Sequence, residues 1–153
     1  MKKICIFCGS SMGFDPIYKE KAKELGQAMA ERQCELLYGG GSVGLMKIIA
    51  DVMLENHCKV IGTITQHLMD MEVGYDDIDE LIVVESMAER KKILEDMADA
   101  FIAMPGGIGT MDEFFGFLLV NRVEAHAAAA KNADFLHSLN FCKGSIFYFC
   151  NSK

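Results

Sequence analysis

Lys3-Ile4-Cys5-Ile6-Phe7-Cys8-Gly9-Ser10-Ser11 is a short apolar run that breaks into small, flexible residues. Such a run predicts a buried strand, and Gly9-Ser10-Ser11 with Gly13 predicts the loop that ends it. The same pattern returns twice. Residues 34–38 predict a strand that stops at Gly39-Gly40-Gly41-Ser42. Residues 99–104 predict another that stops at Pro105-Gly106-Gly107-Ile108-Gly109-Thr110.

Helical patterns fill the gaps. Asp15-Pro16 predicts a helix start, with Asp15 as N-cap and Pro16 at the first helical position. That helix is expected to run to about Arg32, with Ala22, Leu25 and Met29 on one face. Residues 43–56 predict a second helix and 59–64 a third strand. Residues 65–80 read as a connector rich in acids and Met, and 81–84 as a fourth strand. Ser86 predicts the cap of the next helix, with Glu89 completing a capping box. Thr110 is expected to open the last one. Strictly alternating strands and helices imply an α/β fold, a parallel sheet with helices on both faces. Right-handed crossovers make it doubly wound and Rossmann-like, with the ligand beyond the carboxyl ends of the strands.

Three glycine-rich turns at that edge are the main functional signal. Each lets backbone N–H groups approach an anion, and each precedes a helix N-terminus that favours negative charge. Tight strand-to-helix turns also use glycine for shape alone, so the signal lies in the three together.

Composition narrows the class. The 153 residues suit a single domain. The net charge of −7 argues against a broad nucleic-acid or anionic-membrane footprint. No apolar run approaches the ~20 residues of a membrane span, and the first apolar run is too short for a secretory signal. The six cysteines sit among hydrophobic residues. That reads as a reduced cytoplasmic protein with free thiols.

Several motifs have competing readings. Gly39-Gly40-Gly41-Ser42-Val43-Gly44 fits G-x-G-x-x-G, but the next strand ends Ile64-Thr65-Gln66, without the acid that would hold the ribose of NAD. The turn also lacks the Gly-Lys-Ser/Thr of a P-loop. Cys5-x-x-Cys8 looks like a redox or metal pair, yet strand residues three apart face opposite sides of a sheet, which favours a structural role. His57, His67, His126 and His137 are scattered, and no metal site is expected. Glu113 lies three residues after Thr110 and would cap its own helix in the bland reading. In the functional one it holds a carboxylate at the mouth of the glycine loop. Arg90 and Lys91 are either solvated, pairing with Glu95 one turn on, or they neutralise phosphate or transition-state charge.

Together these residues resemble the LOG family of cytokinin riboside 5′-monophosphate phosphoribohydrolases, which older naming calls lysine decarboxylase-like. The likeness covers residues 3–115. It is carried by Cys8-Gly9-Ser10-Ser11, by Tyr38-Gly39-Gly40-Gly41-Ser42-Val43-Gly44-Leu45-Met46, by Ser86-Met87-x-x-Arg90-Lys91, and by Pro105-Gly106-Gly107-Ile108-Gly109-Thr110-x-x-Glu113. The resemblance implies cleavage of the N-glycosidic bond of a nucleoside 5′-monophosphate to free base and ribose 5-phosphate. It implies Arg90 and Glu113 as catalytic residues. Gly106, Gly107, Gly109 and Thr110 would hold the phosphate. Met87, Lys91 and Glu72 would line the nucleotide site, and Gly9, Ser10, Gly41 and Ser42 the opposite wall. It implies a homodimer with each site near the subunit interface, and no metal, nicotinamide or pyridoxal phosphate. Molybdenum-cofactor carrier proteins share the glycine-loop signature without cleaving their ligand, and they supply the rival expectation.

The sequence also departs from the family. From Asn121 to Lys153 no family pattern is visible, though 143–150 reads as one more strand. Lys47 stands where the family has Gly. The apolar end is expected to pair in the sheet or pack at a dimer interface, since an unpaired one invites aggregation.

Overall fold

The computed structural model describes residues 2–71, 74–121 and 147–150, the side chains of 117–121 and of 147–150 excepted. The first strand, β1 (Lys3–Phe7), alternates its side chains between two cores. Ile4, Ile6 and then Cys8 enter one, while Cys5 and Phe7 enter the other. The expected separation of Cys5 from Cys8 is therefore observed, and both are free thiols. Leu36, Tyr38 and Leu37 divide in the same way on β2 (Glu35–Tyr38). So do Ile102 against Phe101 and Ala103 on β5 (Ala100–Ala103). Strands apolar on both faces belong in the middle of a sheet covered twice.

The covers are helices. Asp15 caps α1 (Pro16–Glu31) by accepting from the Ile17 N–H at 2.9 Å, with Pro16 in the first turn as read from sequence. Ala22, Leu25 and Met29 are all fully buried. Helix α2 (Gly44–Glu55) packs beside α1 on the first core. The opposite core lies under α4 (Met87–Met97) and α5 (Ile108–Asn121), which contribute Leu94 and Phe114. Each fully buried aliphatic or aromatic side chain here contributes roughly 1.5–3 kcal/mol of transfer free energy.

With β3 (Val60–Thr65), β4 (Glu80–Val84) and β6 (Phe147–Cys150), the strand order is β4-β3-β2-β1-β5-β6. The first five strands pair parallel, as expected. The sixth runs antiparallel to β5, with Ala103 opposite Phe147 and Ala100 opposite Cys150. Part of the apolar end thus protects the β5 edge, one of the two expected placements; residues 143–146 of the read strand lie outside the described residues.

Three local readings need correction. The connector is not irregular throughout, because α3 (Gln66–Asp70) forms there, capped by the Thr65 hydroxyl. The Glu89 carboxylate accepts from the Glu85 N–H, one residue before the predicted partner, although Ser86 caps α4 as expected. Helix α5 starts at Ile108 rather than Thr110, since the Met111 N–H already bonds the Gly107 carbonyl.

Candidate active site

The chain leaves β1 to build β2, β3 and β4 on one side, then returns to place β5 on the other. The carboxyl ends of β1 and β5 are therefore the topological switch point, where the diverging connections leave a crevice. Backbone bonds stitch the glycine turns together around it. The Gly9 N–H donates to the Pro105 carbonyl at 3.2 Å, and the Leu45 N–H donates to the Gly9 carbonyl at 3.2 Å. The Tyr75 N–H donates to the Gly40 carbonyl at 3.0 Å, so the connector is tied to the second turn. Gly44 adopts φ +62°, and a Cβ there would run into the Ser10 backbone. Only glycine lets the first two turns lie this close.

A cavity of about 460 Å³ opens at this point. Ser10, Gly41, Gly107, Gly109 and Thr110 form its polar backbone-rich walls. Met87, Arg90 and Glu113 also line it. Gly9, Ser42, Gly106 and Lys91 are not lining residues; Gly9 and Gly106 stand back to back behind the wall. Glu72 lies outside the described residues. Sequence reading missed an apolar lining made by Val43, Met46, Ile64 and Leu68. Ile64 ends a predicted strand and could have been placed by register. Leu68 could not, because its helix was not foreseen. A larger hollow of about 950 Å³ lies along α1 and α2, lined by Lys and Glu side chains. Two of its lysines are already paired, Lys21 with Glu24 and Lys47 with Asp51, which marks a solvated helix surface.

Arg90 is the best-anchored side chain in the cavity. It is 6% exposed, against the bland expectation of a solvated arginine. Its Nε donates to the Thr63 carbonyl at 2.7 Å and its Nη2 to the Gly39 carbonyl at 3.3 Å. Its Nη1 donates to Glu113 Oε1 at 2.8 Å. One carbonyl belongs to β3 and the other to the turn that ends its neighbour β2, so the guanidinium plane is fixed by the end of the sheet. Glu113 is correspondingly not the cap of its own helix. Thr110 packs its hydroxyl against Gly106 one turn earlier, and the Glu113 carboxylate goes to Arg90. Burial pushes the Glu113 carboxyl above its ordinary range, and the Arg90 charge and hydrogen bond oppose that shift. Lys91 pairs with Asp112 at 2.5 Å rather than with Glu95. Asp112 is more than half exposed, so this pair contributes at most about 1 kcal/mol.

The second turn must stay bare for Arg90 to reach it. A Cβ at Gly39 would collide with the Arg90 guanidinium. Gly39→Ala is expected to tilt that group, lowering ligand-dependent activity about 100-fold and costing ~1–3 kcal/mol. Thermal unfolding beside kinetics checks this; unchanged activity would show that the position of Arg90 is immaterial.

Met87 and Ile108 line the cavity and are exposed at its surface. Met111 and Phe115, farther along α5, are exposed as well, and all four are 43% exposed or more. Ile108, Met111 and Phe115 follow helical spacing along α5 and form one outward stripe.

Comparison with known proteins places the chain in a family. The family described as possible lysine decarboxylase matches residues 46–136, so the likeness continues past Asn121, where no pattern was read from the sequence. The chain is 42% identical over 124 residues to LOGL1 of Oryza sativa subsp. japonica, a probable cytokinin riboside 5′-monophosphate phosphoribohydrolase; the match covers 81% of this chain and 56% of that protein. It is 46% identical over 112 residues to the cytokinin riboside 5′-monophosphate phosphoribohydrolase LOG7 of Arabidopsis thaliana, covering 73% of this chain and 52% of that one. The chain thus spans about half the length of the curated relatives it matches. Among solved structures, the molybdenum cofactor binding protein of Rippkaea orientalis superposes with a TM-score of 0.65 at 27% identity, covering 78% of this chain and 72% of that one. With the glycine turns, the buried Arg90–Glu113 pair and the matched span in agreement, the chain belongs to the LOG family, the group also described as possible lysine decarboxylases.

Proposed function

We propose that this protein hydrolyses the N-glycosidic bond of a nucleoside 5′-monophosphate, AMP or a cytokinin riboside monophosphate, to free base and ribose 5-phosphate. The observation that carries the reading is the guanidinium–carboxylate pair at 2.8 Å in a cavity walled by two glycine turns. The N-terminus of α5, with Gly107, Gly109 and Thr110, receives the 5′-phosphate, aided by Gly106 behind it. Ser10 and Gly41 close the opposite side, backed by Gly9 and Ser42. Met46, Ile64, Leu68 and Met87 offer an apolar bed for the base.

Departure of the base leaves positive charge on C1′ and the ring oxygen of the ribose. Arg90 takes Glu113 Oε1, which leaves Oε2 for the ribose or for the attacking water. In that position the carboxylate stabilises the developing cation and accepts the proton that water loses on adding to C1′. The base leaves with the glycosidic electron pair and takes up one proton from solvent, and Glu113 returns the proton it took from water to solvent, so one water is consumed in all. Phosphate binding remote from the reacting bond holds the sugar in place. Lys91, tied to Asp112 at the rim, and Glu72 are the further charged groups assigned to the nucleotide. No metal or organic cofactor takes part in this scheme.

A carrier that binds a phosphorylated ligand without cleaving it is the second reading, favoured by the likeness to the molybdenum cofactor binding protein. A panel of nucleoside 5′-monophosphates separates the two. Release of free base by the protein supports hydrolysis; a tightly held pterin recovered intact, with no base released, supports the carrier.

The exposed apolar stripe on α5 supports a homodimer in which a second copy covers Ile108, Met111 and Phe115. Light scattering after gel filtration is expected to give twice the chain mass, and Phe115→Glu to reduce it to the monomer. A wild-type monomer at micromolar concentration would overturn this. Free cysteines in the core support a reducing compartment, the cytoplasm. Among the described residues, no helix is long and apolar enough to cross a membrane.

A further inference from the structure

Away from the cavity, at the amino-terminal edge of the sheet, two turns are copies of each other. Arg32 is the C-cap of helix α1, Gln33 takes φ 53°, and Cys34 leads into β2. Asn56 is the C-cap of helix α2, His57 takes φ 57°, and Cys58 leads towards β3. The hydrogen bonds repeat as well. Gln33 N–H donates to Ala30 and Cys34 N–H to Met29; His57 N–H donates to Leu54 and Cys58 N–H to Met53. Both are Schellman-type ends with a non-glycine residue in the left-handed position.

Identical turns feeding neighbouring parallel strands bring equivalent residues together. Leu36 pairs with Val60, and the ladder extends below that pair through the bond from the Leu36 N–H to the Lys59 carbonyl. Continued two residues before Leu36 and Val60, the same parallel register brings Cys34 across from Cys58. Neighbouring strands lie roughly 4.8 Å apart, inside the ~4.4–6.8 Å window between Cα atoms that a disulfide spans. The side chains share a face, because Cys34 is part of the core under α1 and α2 and Cys58 packs against it. Both sulfurs also lie under the end of α1, Cys34 Sγ 3.9 Å from the Arg32 carbonyl and Cys58 Sγ 3.9 Å from the Ala30 carbonyl. Cys5 and Cys8 have no such relation, since they face opposite cores.

We propose that Cys34 and Cys58 are a dithiol modification site, closed to a reversible intramolecular disulfide by a peroxide. Cys58 is the more exposed sulfur and meets the oxidant first, while Cys34 is buried. The Cys58 thiolate attacks one peroxide oxygen, the O–O bond breaks, and the leaving hydroxide takes up a proton as water. The resulting sulfenic acid is then attacked by Cys34 sulfur. The S–S bond forms, the S–O bond breaks, and hydroxide leaves with the Cys34 proton as a second water. Two thiols lose two electrons in total and one hydrogen peroxide becomes two waters. The bridge closes the chain over residues 34–58, which carry the second glycine turn and α2, and it raises the unfolding midpoint of the oxidised protein by several degrees.

The test uses the full chain treated with hydrogen peroxide, alkylated, digested with trypsin without reduction, and weighed by mass spectrometry. The expected product is the peptide 33–47 joined to the peptide 48–59. It disappears on reduction and is absent from Cys34→Ser, in which Cys58 proceeds to sulfinic acid. Wild-type protein in which Cys58 is oxidised to sulfinic acid while Cys34 still alkylates would overturn the proposal. So would a link from Cys58 to any other cysteine or to a second chain.

Discussion

Replacing Arg90 with alanine is expected to cut base release severely and to destabilise the protein by about 3–5 kcal/mol. The size follows from what the guanidinium holds. It satisfies the Thr63 and Gly39 carbonyls and neutralises Glu113, all within a site where its side chain is 7% exposed. Alanine leaves two carbonyls short of a donor and a carboxylate buried without its counter-charge. For a chain of this size the unfolding midpoint falls by roughly 10 °C. Loss of a fixed donor beside the reacting sugar lowers kcat/KM by a further factor of about 100–1,000 even in molecules that stay folded. The double variant Arg90→Met/Glu113→Leu separates the two effects. With no orphaned charge it is expected to melt well above Arg90→Ala while remaining inactive. A double variant as unstable as the single one would show that the carbonyl bonds, not the ion pair, dominate.

Glu113→Gln is the second large effect and falls almost entirely on catalysis. The amide oxygen still accepts from Arg90 Nη1, so the cavity keeps its shape, but neither proton acceptance nor charge remains. A loss of about 100- to 10,000-fold in kcat with little change in KM is expected. The pH profile adds a check. Burial holds the Glu113 carboxyl above its ordinary range despite Arg90, so the active carboxylate is lost at a higher pH than an exposed glutamate would lose it. Wild-type kcat/KM is expected to fall as pH drops through that raised value, and the residual activity of Glu113→Gln to lack this limb.

Stability moves the other way. A carboxyl with a raised folded pKa contributes stability below its unfolded pKa, and that contribution is lost as pH rises through the folded one. Glu113→Gln should therefore gain in relative melting temperature between acid and neutral pH. A constant difference across that range would mean that the carboxyl titrates alike in both states.

Much of the fold was legible because local signals and tertiary demands coincide. Asp15-Pro16 caps α1 as its chemistry dictates, and the alternation of β1 sends Cys5 and Cys8 into separate cores. The site was legible as a place, since three glycine turns ending parallel strands converge on one edge. The roles of its charges were not. Local spacing assigns Glu113 to its own helix and Lys91 to Glu95, but α5 and α4 meet across the cavity and re-pair these residues with Arg90 and Asp112. Such contacts depend on how the sheet twists its helices together, which spacing does not encode. The apolar wall was missed for a related reason, because Leu68 reaches it from a five-residue helix too short to carry a periodic signal.

The proposed hydrolysis requires the Arg90–Glu113 pair to break a bond between sugar and base. Purified protein incubated with AMP, and separately with a cytokinin riboside monophosphate, should release free base and ribose 5-phosphate in equal amounts, with release reduced to background in Glu113→Gln. Intact nucleotide after long incubation with folded wild-type protein, or equal release by that variant, would contradict hydrolysis by this pair.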